Sequence, residues 1–468
     1  MKRAALGGAV FAGIELPQWA MPTYSGAIGT GGGIDVEEGV YLLESGKEKN
    51  VMPDIRPEIR NNPRAVFLIE THVSASPDAR GNFTDVCPEL ERIGGKIVQE
   101  LFVKGGKKGG STLVKPNFTT VPESVLSPVV GIDTSPDFIA GFILGLRELG
   151  NTNVIVSDRG TDVVNHRENG IYDVFDKYRI RMIEANYEKF AHYNKNDLNW
   201  HKVPNPVVWK NIPTYRPIGD PDNFFINMPK LKCHNLGLTT LSIKNLQGAV
   251  PSGYGYYCDR WDAIPFLANT YGINFKRDFI QDYQQRVEAA FLKHRAAGFK
   301  HWDKEGSYLK YEAKGGWESF KKVRNDVKAK NEFLKDMPAL MWDEQWCQRG
   351  LDSASAITPN INIIEGVIGR DGSGFDTGKD ELTNIIVVGL SMPEVDAIGT
   401  YILGHDPKEL YYTRIAKERG LGECDPLKID LYWIRDGQVS RANLADVKRY
   451  HLGVNLHTWT ETGERLFW

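Results

Sequence analysis

A chain of 468 residues, 41% hydrophobic and 25% charged, has the material for a sizeable buried core and is not a disordered tail. Its 57 Lys and Arg against 60 Asp and Glu leave a formal charge of −3, and no segment is basic enough to form a nucleic-acid tract, so a polynucleotide partner is not expected. Mean hydropathy is −0.37, no apolar run nears the ~20 residues of a bilayer-crossing helix, and five cysteines without a C-x-x-C pair argue against a zinc-thiolate site, an iron–sulfur cluster or a disulfide scaffold.

In chain order, residues 1–22 place Lys2 and Arg3 before a Gly- and Ala-rich apolar run ending near Ile14, the order of a truncated export signal. A twin-arginine signal carries its arginine pair ahead of such a run. This reading expects a periplasmic or otherwise exported protein; the alternative, an ordinary N-terminal segment, leaves it cytoplasmic. Residues 23–64 form an N-terminal extension, in which GTGGGID from Gly29 reads as a flexible loop, as does GGKKGG from Gly105 further on.

Short β-rich runs follow: AVFLIETHV from Ala65, STLVKPN from Ser111, NVIVSD from Asn153, NFFINMPK from Asn223, NINIIEGV from Asn360 and NIIVVGLS from Asn384. Strands that are apolar nearly throughout belong inside a sheet covered on both faces. Between the second and third runs, Phe138, Phe142, Leu146 and Leu149 mark one face of a helix that Ser135-Pro136 starts and Gly150 ends. The pattern predicts an α/β fold, a mostly parallel sheet flanked by helices, with the core at 65–253 and 351–468. Dense charge at helical spacing over 254–350 reads as a helical cap insertion.

Sites in such sheets lie at the carboxyl ends of strands. Lys115 and Asn117 end one strand, with Pro116 fixing the turn, and Asp158 ends the next, as a ligand contact or an Asx turn. In NFFINMPKLKCHNLGLTTLSIKNLQGAVPSG, period-2 alternation puts Lys230, Lys232 and His234 on one face and Leu231 and Cys233 on the other. In the segment that follows, helical spacing brings Lys244 and Gly248 to one side with Asn245 beside them, and its free N–H groups would join the lysines in favouring an anion. Clustered lysines also repel each other's protons, so one of them is a candidate base or nucleophile. Glu365 is expected to end a strand before a glycine-rich loop, Asp396 to be a helix-start acid and His405 a helix-end cap. Tyr254, Tyr256, Tyr257 and Trp261 either line the cap or pack within it. Histidine spacing supports no metal site.

The run MPKLKCHNLGLTTLSIKNLQGAVP resembles the signature of the domain-of-unknown-function family 362, close to lPKLKtH..tg.TlaiKNlfG..P. LVKPNF, INIIEGVIGRDGSGFDTGK, SMPEVDAIGTYILGHDP and RGLGE agree with that family in order. Cys233 stands where Thr is expected, Glu365 where Asp is expected, Gln247 replaces an apolar residue, and the ferredoxin-type cysteines of some relatives are absent. A more remote similarity is to the N-terminal domain of the nickel-pincer lactate racemase family, in which an acid/base His and a cofactor-bearing Lys have the spacing of His234 and Lys244. The nickel-binding His expected next has no counterpart between His234 and His294.

The residues together predict a pocket for a small anionic substrate or cofactor, lined by Lys115, Asn117, Asp158, Lys230, Lys232, Asn245 and Glu365. Two readings of it stay open: an enzyme with His234 as acid/base and Lys244 as anion clamp or covalent anchor, or a non-catalytic anion-binding or scaffold protein. The cofactor, substrate and oligomeric state are not readable from the residues. The export reading carries its own check: the gene should show an in-frame Arg-Arg pair just upstream of Met1, and a genomic sequence without one removes it.

Overall fold

The computed structural model describes residues 50–79, 81, 83, 87–118, 131–158, 170–184, 198–234, 238–250, 338–371, 379–408 and 410–452, with six isolated positions between 289 and 329. The expected export segment, the aromatic run 254–261, Gly372, Gly374 and most of the helical insertion lie outside the described residues. The elements run β1 (Asp54–Ile55), α1 (Pro57–Arg60), β2 (Val66–Glu70), α2 (Cys87–Leu101), β3 (Phe102–Val103), β4 (Thr112–Pro116), α3 (Pro136–Glu148), β5 (Val154–Asp158), α4 (Ile171–Lys177) and β6 (Arg181–Glu184). Then come β7 (Leu198–Lys202), β8 (Asn211–Tyr215), β9 (Phe224–Met228), β10 (Lys230–His234), β11 (Leu238–Thr239), α5 (Ser242–Asn245) and a 3-10 turn at 246–249. The last elements are α6 (Pro338–Ala356), β12 (Ile361–Arg370), β13 (Asp380–Gly389), α7 (Met392–Leu403), α8 (Tyr411–Glu418), β14 (Leu431–Arg435) and β15 (Gln438–Arg441).

The α/β expectation holds. The main sheet has the order β15-β14-β2-β13-β12-β9-β4-β5-β6, with β10 also paired to β12 and β11 folded back on β10. Pairing is parallel through β12, β9, β4, β5 and β6, and antiparallel around β13. Every residue of β4, β5, β10 and β12 is buried, as strands covered on both faces require. On one face Val114, Val156, Ile226 and Ile363 share a core with Ile97 of α2 and Phe138 and Phe142 of α3. On the other, Leu68, Leu231, Ile364 and Val387 pack against Val395, Ile398 and Ile402 of α7. Among the described residues no helix is long and apolar enough to cross a membrane.

Helix α3 starts and stops as its sequence dictates. Ser135 Oγ accepts from the Phe138 N–H at 3.4 Å, Pro136 occupies the first turn, and Gly150 leaves the helix at φ 93°. Its crossing with α2 is close because glycines meet there. A methyl at Gly141 would lie 1.7 Å from the Glu91 carbonyl oxygen, and one at Gly94 would lie 2.1 Å from that of Phe138.

The chain order produces a topological switch. From β4 it runs outward through β5 and β6, then returns to lay β9 against the other side of β4. Strand β4 stops at Pro116, opposite Met228. Pro229, with no N–H to give, separates β9 from β10, and its carbonyl accepts from the Glu365 N–H at 2.8 Å. Beyond that break β10 continues beside β12 alone, while Thr134 donates to the Met228 carbonyl at 2.8 Å and accepts from the Asn117 N–H at 2.9 Å. In sheets of this kind the switch point is where a ligand crevice is expected, and here it falls where β4 ends and β10 begins.

Two boundaries differ from the sequence pattern. Helix α6 begins at Pro338, inside the stretch assigned to the insertion, and its residues 347–353 are buried; it packs on α5, the 246–249 turn and α8. Asn50, fully buried, accepts from the Thr152 and Asn153 N–H groups, so the end of the N-terminal extension is stitched into the core. Strand β12 also runs past Glu365 to Arg370. Gly366 sits within it because Ile385 O and Leu231 would lie 2.6–2.7 Å from a Cβ there.

The α2–α3 crossing yields a paired test. Gly141→Ala should cost about 1–3 kcal/mol of unfolding free energy through backbone overpacking. Gly95→Ala, whose new methyl meets nothing nearer than 3.5 Å, should be neutral or stabilising by up to about 1 kcal/mol through helix propensity. Urea unfolding curves of the two variants decide it; equal midpoints would remove the glycine contact as the determinant.

Candidate functional site

The predicted residues divide between the two faces of the sheet. Val114, Ile226, Ile361 and Ile363 face α2 and α3, so by strand alternation Lys115, Asn227 and Asn362 project to the opposite side, beneath α5. There Lys115 Nζ, in a side chain 1% exposed, donates to Asp158 Oδ1 at 2.7 Å, to the Pro116 carbonyl at 2.7 Å and to Asn245 Oδ1 at 3.4 Å. Asp158 Oδ2 accepts from the Phe118 N–H at 2.7 Å, so this carboxylate ties two strand ends together; the turn that would follow Asp158 lies outside the described residues. Asn245 donates onward to the Lys115 carbonyl and to Asn227, Asn227 donates to Asn362 and to the Ser242 carbonyl, and Asn362 donates to the carbonyls of Gly389 and Leu390. The chain of amides fastens α5 across three strands.

Gly248 closes over this network. A methyl there would lie 2.1 Å from Asp158 Oδ1 and 2.7 Å from Lys115 Nζ, so the 246–249 turn rests directly on the ion pair. Helical spacing had set Gly248 on the side of Lys244, but the α-helix ends at Asn245 and the 3-10 turn carries Gly248 to Lys115 and Asp158. Lys244, half-buried, turns instead toward the second group.

That second group lies on the α3 side. Leu231 and Cys233 belong to the α7 core, which leaves Lys230, Lys232 and His234 on the other face of β10, as period-2 alternation predicts. Lys230 and Glu365 are cross-strand partners, both wholly buried, and form an ion pair; Glu365 also accepts from the Ser135 and Val367 N–H groups. Arg370 and Asp380 are likewise directly opposite, with a 2.6 Å contact, and Asp380 accepts from the Phe83 N–H. Burial pushes the Asp380 carboxyl up against the lowering pull of Arg370.

Lys232 sits between these pairs, registered opposite Arg370 and 5% exposed, with Nζ donating to the Ile132 carbonyl at 2.6 Å. Burial brings its pKa down to about 7. Asp133 pulls it back up, while Lys244, Arg370 and Lys230 each push it further down. His234, at the end of the strand, is 7% exposed, and Asn117 is half-buried beside Thr134.

One expectation is overturned. The N–H groups at the start of α5 do not await a ligand: Asp396 takes both, accepting from Ser242 at 2.6 Å and from Ile243 at 2.9 Å. Asp396 lies inside α7, so it is not a cap for its own helix but the resident anion at the start of another. Burial pushes its carboxyl up to about 7 against those two hydrogen bonds.

His405 does follow a helix end, after Gly404 at φ 103°, and its ring contacts Cys233 Sγ at 3.4 Å. Burial lowers the His405 pKa and raises that of the Cys233 thiol, which packs in the α7 core and is not activated. Among the described residues no group of three or more His, Cys, Asp or Glu could hold a metal ion.

Sequence reasoning did not single out Asn227, Asn362, Asp133, Arg370 or Asp380. For Asn227 a signal existed, since it is the one polar residue of the strand FFINM, and Asn362 likewise breaks the apolar run INII. For the other three, only the register and the packing of the 131–135 segment identify them.

A family model described as Domain of unknown function (DUF362) matches residues 112–401. No curated protein and no solved structure matches, so the racemase similarity gains no support from these comparisons.

The buried pairs make a prediction that separates holding the fold from holding a ligand. Glu365→Gln leaves the Lys230 ammonium buried without its carboxylate and should cost about 3–5 kcal/mol. The double variant Lys230→Met with Glu365→Leu should recover most of that loss. Denaturant unfolding measures both, and a single variant as stable as the parent would show that the pair does not support the fold.

Proposed function

The chain belongs to the DUF362 family, and we propose that it binds a small anion, a carboxylate or phosphate, at the carboxyl ends of β4 and β10. In this reading Lys232 and Lys244 are the cationic contacts and His234 is an acid/base group beside them. The observation that carries it is the hydrogen bond from the Thr240 N–H to the Lys232 carbonyl at 3.1 Å, which brings the chain into α5 from beside β10 and leaves Lys244 near enough to lower the Lys232 pKa. Among the described residues there, Lys230, Lys232, Lys244 and Arg370 gather with the carboxylates Asp133, Glu365 and Asp380. A ligand with negative charge beside Lys232 and Lys244 favours their charged forms, and a small one suits side chains this deeply buried.

The structure narrows the candidate ligand contacts. Lys115 with Asp158, and Lys230 with Glu365, serve here as internal ion pairs that position α5 and β10. Asn117 and Asn245 frame the same strand ends. His234 shares the face of Lys230 and Lys232, and an imidazole is the side chain most used for proton transfer.

The Lys232 pKa sets the sign of a binding experiment. Above pH 7 the free amine is largely neutral, and a bound anion favours the ammonium, so binding takes up a proton and weakens as pH rises. Below pH 7 Lys232 already carries its proton and uptake fades. Calorimetric titration with inorganic phosphate and with small carboxylates, in two buffers of different ionisation heat on either side of pH 7, should show this difference. Lys244→Gln should weaken binding several-fold, while His234→Gln should leave affinity nearly unchanged. Binding that is indifferent to both pH and Lys244 would reject this site.

A further inference from the structure

We propose that Lys232 is a nucleophilic amine that forms an imine with the carbonyl carbon of a small oxo acid, whose carboxylate lies against Lys244. The proposal rests on the anion-binding reading and names the substrate class for it. Lys230, Lys232, Lys244 and Arg370 gather here, and they are not equivalent. Lys230 contacts Glu365, and Lys115, on the far face, contacts Asp158. The Arg370 guanidinium contacts Asp380, and a guanidinium offers no lone pair for attack. Lys244 is half-buried on α5 and suits a charge-to-charge contact with a carboxylate.

Lys232 has the surroundings an amine nucleophile needs. Its cross-strand partner is a guanidinium, a second ammonium lies two residues away on the same strand face, and a third comes from α5. Burial among other cations is a general way for a protein to hold a lysine neutral. The hydrogen bond from Nζ to the Ile132 carbonyl at 2.6 Å suits a neutral amine as well as an ammonium, because either donates. A neutral amine then keeps its lone pair for attack.

The step balances without an oxidant or reductant. The Nζ lone pair attacks the carbonyl carbon and the C=O π pair moves onto oxygen, giving a carbinolamine. The two protons of the amine pass to that oxygen, which leaves as water while the C=N bond forms. His234, on the same face of β10, is placed to relay those protons. Protonation of the imine restores positive charge opposite Asp133, the carboxylate that favours a cation at Lys232.

The test uses the whole protein, pyruvate or 2-oxoglutarate, and cyanoborohydride, which reduces a C=N bond to a stable secondary amine. Peptide mapping by mass spectrometry locates the adduct. Lys232 should be labelled several-fold faster than exposed Lys96 and Lys107 and than buried Lys115 and Lys230. Labelling should quicken as pH rises through 7, slow in competing phosphate, and fall several-fold with acetone, which lacks the carboxylate, or in Lys244→Gln. Lys232→Arg should remove the adduct; should that variant not fold, the parent's map decides alone. Labelling spread over exposed lysines, with Lys232 no faster than Lys230, overturns the proposal. If proton-linked phosphate binding persists alongside that outcome, the anion site stands and the imine falls; if it is also absent, both fall.

Discussion

Taking an ammonium or guanidinium out of water costs several kcal/mol even after the protein relaxes around it. Among the described residues Lys115, Lys230, Lys232 and Arg370, gathered around one sheet, are each at most 5% exposed. Much of the local structure answers that cost. Asp158, Glu365 and Asp380 are buried in contact with Lys115, Lys230 and Arg370, and Asp133 draws the Lys232 pKa upward. The glycines near them are there to admit the carboxylates. A methyl at Gly248 would strike Asp158 Oδ1, and one at Gly131 would lie 1.9 Å from Asp380 Oδ1. The close backbone approaches expected of a ligand loop are used here to seal ion pairs.

Strand register is what delivers the counter-charges. Lys230 meets Glu365, and Arg370 meets Asp380, as residues directly opposite on neighbouring strands, so both pairs depend on β12 keeping its place between β10 and β13. Pro229 makes this arrangement available. It lets the chain leave its pairing with β4, which has ended at Pro116, and continue beside β12 with its lysines turned toward α3. On the other face Asp396 and the Asn227–Asn245 link hold α5, and through α5 they hold Lys244 near Lys232. The two networks lie on opposite faces and join at a helix of four residues.

What the sequence disclosed follows from the range of the interactions. The strands and α3 were readable because burial on both faces writes apolar runs, and because Ser135-Pro136 and Gly150 punctuate a helix locally. The alternation of Lys230, Lys232 and His234 against Leu231 and Cys233 was readable for the same reason, since a period of two needs no partner. The family signature marked the same stretch. The role of Asp396 was hidden, because the N–H groups it caps lie 154 and 153 residues away and become neighbours only when α7 packs on α5. Asp158 was identified as a strand-end acid, but its partner, 43 residues back, follows only once β4 and β5 are known to be adjacent. Glu365 was misplaced at a strand end because glycine was read as a loop signal. Within β12 it is the only residue that fits between Leu231 and the Ile385 carbonyl.

Lys232 differs from the other buried cations in what it costs. Its native pKa near 7 lies below the ordinary 10.5 of an unfolded lysine, so between those values the unfolded chain holds a proton that the native chain lacks, and stability rises with pH across that window. Below pH 7 the cost is fully present: the native state carries an ammonium that its surroundings disfavour. A packed apolar side chain would avoid the cost altogether. A group that destabilises its own fold at neutral pH is compensated when something binds the native state alone. The proposed anion would do so by adding negative charge beside Lys232 and Lys244, and the protein would be most stable when its site is filled.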